Sequence, residues 1–169
     1  TAEIDFPAAI TFKLRASSTA DIVDIRLCYQ IDKVSSVQVF AEVIPDFTSG
    51  PLVEVYWTRH MRKTGGLPPG AEIRFWWIIR DSTGGELETA PAAVRFDDSR
   101  YSWENLTQGV VSLFWYKGDQ SFAREIMDAA CEALDKLAED TGARLEKAVK
   151  IYIYADSSDL QQALVFPQE

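Results

Sequence analysis

Val23-Asp24-Ile25-Arg26-Leu27-Cys28-Tyr29-Gln30-Ile31 decides how the first part of this chain folds. Val23, Ile25, Leu27, Tyr29 and Ile31 fall on one side of an extended backbone, and Asp24, Arg26, Cys28 and Gln30 on the other. A two-residue period of this kind is the pattern of a strand with one buried face. Upstream, Ile10, Phe12 and Leu14 alternate with Thr11, Lys13 and Arg15 in a separate strand. Downstream, Val37, Val39, Ala41 and Val43 make a third run. Pro45 and Ser49-Gly50-Pro51 punctuate the chain before a fourth strand, Leu52 to Thr58.

The turn chemistry continues the pattern. Leu67-Pro68-Pro69-Gly70 reads as a turn, since proline presets φ and glycine permits positive φ. It leads into Ile73, Phe75, Trp77 and Ile79, alternating with Arg74, Trp76, Ile78 and Arg80. Asp81-Ser82-Thr83-Gly84-Gly85 is a hairpin loop before a last strand near Leu87 to Phe96. Six or seven short strands in the first 97 residues predict an antiparallel β-sandwich whose order resembles an immunoglobulin or fibronectin type III fold. Trp57, Trp76 and Trp77 raise the prospect of sugar stacking. Alternation puts Trp77 in the core and Trp76 opposite it, so Trp76, with Trp57 beside it, is the candidate contact for a partner or glycan.

Near residue 97 the grammar changes. Val110, Val111, Leu113, Phe114 and Trp115 form a near-continuous apolar strand, as expected where both faces are covered. Asp119 is placed to cap a helix whose apolar stripe is Phe122, Ile126, Ala129, Ala130, Ala133, Leu134 and Leu137, with Gly142 as its stop. Val149, Ile151 and Ile153, interleaved with tyrosines, make another strand. Asp156-Ser157-Ser158-Asp159 sets up a further helix. The expected organisation is a sandwich over 1–97 and a partial α/β domain over 98–169, the chain as a whole being mainly β with an α+β second part. A strand–helix–strand unit buries its sheet only when more elements cover it, so the rest of that domain is expected beyond Glu169 or on another chain.

Hydrophobic residues make up 47% of the chain and charged ones 25%, an ordinary globular balance. A net charge of −9 argues against a nucleic-acid partner. The basic cluster Arg59, His60, Arg62 and Lys63 beside Gly65-Gly66 reads as a solvated loop. No stretch approaches the ~20 apolar residues that span a bilayer. The chain begins at Thr1 rather than Met, and the expectation is that a targeting segment has been removed. Cys28 and Cys131 are expected as free thiols.

A single histidine removes several constellations at once. HExxH needs two histidines on one helix face to hold zinc, and a Ser-His-Asp triad would have to recruit His60 from among positive charges. Neither CxxC nor a phosphate-binding glycine loop occurs. Asp97-Asp98 and Asp156/Asp159 are suited to turns and caps rather than calcium. Asn105-Leu106-Thr107 matches a glycosylation sequon.

Three stretches carry a resemblance. Asp98-x-Arg100-Tyr101-x-Trp103, then Trp115-Tyr116-x-Gly118-Asp119-x-x-Phe122-Ala123, then Ile151-Tyr152-Ile153-Tyr154-Ala155-Asp156 with Asp159-Leu160, resemble bacterial proteins carrying a peptidase MA-like domain. These are gluzincin-type zinc metallopeptidases, often exported, in which a β-sandwich region precedes the protease domain and the HExxH helix comes later. The resemblance implies a non-catalytic, extracytoplasmic N-terminal fragment. No catalytic, cofactor or metal residue can be carried over; zinc would belong to the full-length parent. The implied partner is the missing C-terminal catalytic region or another protein chain. The competing expectation is a self-contained extracytoplasmic module that binds protein or glycan.

Overall fold

The computed structural model describes residues 1–31, 39–144 and 147–165. The chain is mainly β, and it divides into two compact units. One comprises Thr1–Asp98 with Val165–Glu169, of which only Val165 is described; the other is Ser99–Leu164.

The first unit is an antiparallel network of seven strands: β1 (Ala2–Asp5), β2 (Ala9–Ile31), β3 (Val39–Val43), β4 (Gly50–His60), β5 (Ala71–Asp81), β6 (Glu86–Glu88) and β7 (Ala92–Phe96). Residues 10–15 and 23–31 are not two strands, as the alternation suggested, but parts of one strand of 23 residues. Its first half pairs with β1 on one side and β4 on the other; its second half pairs with β3 and β5. The intervening Ala16–Asp21 segment has neither Gly nor Pro, so nothing in its chemistry enforces a turn. The direction changes instead through register shifts between Ser17 and Ile22 and between Ile22 and Asp24. Ser49 Oγ donates to the Ile22 carbonyl at 2.7 Å within this bend. The bend is tight. Phe12 and Tyr29 would stand more than 50 Å apart on a straight strand at about 3.3 Å per residue, yet their rings stack with centroids 5.8 Å apart. One strand therefore supplies both layers of the sandwich.

Ile10, Phe12, Ile25, Leu27, Val53, Val55, Ile73, Phe75 and Trp77 fill the interior, all of them from the inward-facing set of the period-two pattern. Val37 lies outside the described residues. The Pro68–Gly70 turn closes through Ala71 N donating to Pro68 O, with Gly70 at φ 74°. In the 81–85 hairpin the Asp81 carboxylate accepts from Thr83 Oγ1 and the Gly85 amide, which holds it below the usual carboxylate range. The last strand is broken, contrary to expectation, at Thr89-Ala90-Pro91. Pro91 has no N–H to give to a ladder, and Thr89 bridges the gap: its hydroxyl accepts from Trp77 N and its amide donates to Trp77 O.

The basic cluster is partly structured. Met61–Thr64 forms a one-turn helix, α1, and Arg59 turns inward, donating to the Tyr29 hydroxyl at 3.0 Å.

The second unit holds β8 (Glu104–Gln108), β9 (Val111–Trp115) and β10 (Val149–Ile153), in the order β10-β9-β8, with helices α2 (Gln120–Thr141) and α3 (Ser157–Ala163). β9 and β10 are parallel and joined through α2. Both helix starts form as the capping residues dictate: Asp119 accepts from Phe122 N, and Asp156 from Asp159 N. Gly142 ends α2 in the left-handed region. β8 was not anticipated; Val110 belongs to the turn that joins it to β9, and the sequon lies on β8. The face of α2 that packs is also shifted by about one residue. Ala123 and Met127 are buried, with Ile126, Ala130, Cys131 and Leu134 beside them, whereas Phe122, Ala129, Ala133 and Leu137 are exposed. Side chains on a helix lean toward its N-terminus, so two apolar rows one position apart compete for the sheet. The row with Met127 is the one that packs on β9.

Candidate functional site

The residues singled out from sequence do not converge. Trp57 points between the layers of the first unit, stacked 6.1 Å from Phe12 and 5.7 Å from Tyr29. Trp76 lies on the outward face of β5, half-buried beside Phe40, which is 55% exposed. Cys28 sits at the register position opposite Trp76, and burial pushes its thiol up, away from nucleophilic use. Both cysteines are free. Asp97 accepts from Arg95 Nε, while Asp98 is only 1% exposed. Asp156 caps α3, and Asp159 serves another residue, described below. Among the described residues no group of three or more His, Cys, Asp or Glu could hold a metal ion, and His60 stands exposed at the end of β4.

The structure assembles one constellation that sequence reading did not: an aromatic face on the sheet of the second unit. On β9, Val111, Leu113 and Trp115 turn toward α2 and are buried, so Phe114 points the opposite way. On β10, Val149, Ile151 and Ile153 share the α2 side, which leaves Tyr152 on the other. Tyr101, Trp103, Tyr116 and Tyr154 complete the group. Tyr101 and Tyr116 stack at 4.0 Å, and Phe114 and Tyr152 at 4.6 Å. Trp103 meets Tyr116, Tyr152 and Tyr154 edge-on at 5.0–5.2 Å. The Arg100 guanidinium lies 5.3 Å from the Tyr101 ring centre. All six rings are half-buried. Such a surface offers ring faces and edges together with hydroxyls, the mixture that favours contact with other protein side chains. The signal was visible as the pairs Tyr101-x-Trp103 and Tyr152-x-Tyr154. Only the assembled sheet order β10-β9-β8 shows that they share one face.

At the rim of this face, Tyr116 Oη donates to Asp159 Oδ2 at 2.5 Å and accepts from Ala155 N at 2.8 Å. Burial, and then the bond to the Asp159 carboxylate, push Tyr116 up to about 12. Its proton is therefore held firmly, and the ring links β9 to the start of α3 rather than serving as a base. Because the folded form favours the protonated phenol, this contribution to stability is complete below pH ~10 and disappears as pH rises toward ~12. An ultraviolet titration is expected to show a step near the upper value that Tyr116→Phe abolishes. If every tyrosine ionised together near pH ~10, the Tyr116–Asp159 bond would not exist in solution.

Residues 129–169 match the family model of the Peptidase MA superfamily. The match covers the second half of α2, then β10 and α3, and so includes Tyr152, Tyr154 and Asp159. No curated protein matches the chain. Over that helix–strand–helix stretch, the second unit is peptidase MA-like.

Proposed function

We propose that this chain is a non-catalytic accessory and interaction module, the N-terminal part of an exported, gluzincin-type zinc metallopeptidase. The observation that carries the reading is the Peptidase MA match across α2, β10 and α3, in a sequence whose single histidine cannot supply HExxH. The open side of the small sheet supports it. β10 pairs only with β9 among the described residues, and parallel sheets are ordinarily extended and covered on both faces. The partner is the C-terminal catalytic region of the same protein, which would bring the zinc and the general base, and the setting is extracytoplasmic.

Two measurements test this. The reading frame beyond Glu169 is expected to encode HExxH with a downstream glutamate. The purified chain alone is expected to hold far less than one equivalent of zinc by elemental analysis and to cleave no peptide. Stoichiometric zinc, or cleavage abolished by a point substitution within these residues, would overturn the proposal. A second reading, a self-contained glycan- or protein-binding sandwich, draws on the outward Trp76–Phe40 pair. It requires cell-wall glycan binding that Trp76→Ala removes.

A further inference from the structure

Among the described residues β4 pairs with β2 alone, in unbroken register from Ala9↔His60 to Ser17↔Leu52. On the other side of β2, Thr1 and Lys13 exchange two hydrogen bonds, so the main-chain groups of Lys13 point to β1. In an antiparallel ladder, alternate residues point their groups to the same side. Phe12 and Leu14 therefore serve β4 through Trp57 and Val55, and the N–H and C=O of Leu52, Glu54, Tyr56 and Thr58 face away from β2. Ala8 keeps this parity by accepting from Met61 N. Among the described residues no strand or loop bonds to that outer row. The edge is also unguarded. β4 has no lysine, no bulge between Leu52 and His60, and no proline after Pro51. Arg59 turns inward to Tyr29, and Glu54 leans back over β2 to Arg15 Nε at 3.3 Å. Leu52 and Tyr56 are 58% and 73% exposed. A groove of about 430 Å³ opens beside the strand, lined by Tyr56, Trp57 and Thr58 and by Pro45 and Asp46.

We propose that β4 pairs with β4 of a second copy of this chain, antiparallel about a two-fold axis at Val55. Leu52 to Thr58 offers about 23 Å of edge at roughly 3.3 Å per residue. With the axis at Val55, Leu52 of one protomer lies opposite Thr58 of its partner, and Glu54 opposite Tyr56. Every free group of the outer row is then used, in about eight hydrogen bonds. On the inner face Val53 meets Trp57 and Val55 meets Val55, apolar against apolar. The neighbouring registers are poorer. Centring on Glu54 sets two glutamates directly against each other. Centring on Tyr56 sets Val53 against Arg59 and Leu52 against His60, whose carbonyl already accepts from Thr64 Oγ1 at 3.0 Å. The edge is thus its own complement, which is what a closed two-fold interface between identical chains requires.

Sedimentation of the full 169-residue chain is expected to show a monomer passing to a dimer as concentration rises toward millimolar. Over the same range, hydrogen exchange at the Leu52, Glu54, Tyr56 and Thr58 amides should slow about tenfold or more, while Val53, Val55 and Trp57, already bonded to β2, change little. Tyr56→Pro should abolish the dimer and leave the sandwich folded, because the N–H it removes is one that β2 does not use. Cysteine pairs cover a misfolded proline variant. An equimolar mixture of Leu52→Cys and Thr58→Cys should cross-link on mild oxidation into the mixed dimer, and neither variant alone, since two copies of either position lie about 20 Å apart in this register. A chain that stays monomeric at millimolar concentration would overturn the proposal. So would a dimer in which the outer-row amides stay unprotected, or one cross-linked by Leu52→Cys alone.

Discussion

Trp115→Ala is expected to unfold the second unit while the sandwich survives. Trp115 is 2% exposed and sits at the end of β9 in a core whose other buried members are Val111, Leu113, Ala123 and Met127. Cutting a buried tryptophan back to alanine costs about 3–5 kcal/mol, since packing is lost and a cavity is left. A unit of fewer than about 70 residues seldom has more than 3–5 kcal/mol of stability from its core. The loss is therefore comparable with the whole margin. Hydrogen exchange read by mass spectrometry should show β9, α2 and β10 exchanging as an unfolded chain, with β2 and β5 still protected. Retained protection in β9 would mean the sheet is held by something other than this core, and simultaneous loss in both units would mean they fold as one.

The second large effect is expected in the sandwich. Phe12 is fully buried, and its ring meets Tyr29 at 5.8 Å, Trp57 at 6.1 Å and Phe75 at 5.1 Å. Those neighbours come from the other half of β2, from β4 and from β5, so one side chain ties both layers together. Phe12→Ala should cost about 3–5 kcal/mol. With a urea slope of about 2 kcal/mol per M, the unfolding midpoint should fall by roughly 2 M. Phe12→Leu keeps most of the volume and should cost clearly less. Equal losses for the two variants would mean the aromatic contacts, rather than the filled space, hold the layers.

Alternation alone was enough to read β5 correctly, with Trp77 inside and Trp76 outside, because its outward positions carry Arg74 and Arg80 and its inward ones from Ala71 to Ile79 only apolar residues. The helix caps were equally legible, since Asp119, Asp156 and Gly142 act through local geometry. What escaped was decided at a distance. The run Ala16–Asp21 has no breaker, so whether it turns or stays extended depends on partners 30 to 60 positions away. β8 carries Asn105, Thr107 and Gln108, too polar to announce a strand, and forms because β9 offers it an edge. The two rows on α2 are both apolar, so periodicity alone does not choose between them. The aromatic face was spelled out in the sequence two residues at a time, but no local rule brings residues 101, 116 and 154 together.

The shared strand β2 also sets a timetable for synthesis. It is complete once Ile31 has been made, whereas β4 and β5, which pair its two halves, end at His60 and Asp81. At about 5–20 residues per second the ribosome needs roughly 3–10 s to supply the last of them. During that interval the longest strand among the described residues waits without β5, its apolar face uncovered and the edge that β5 will take open to any other nascent chain. Once β5 arrives, both layers can close around the same backbone. The sandwich is thus a structure in which a strand made early is among the last to be satisfied.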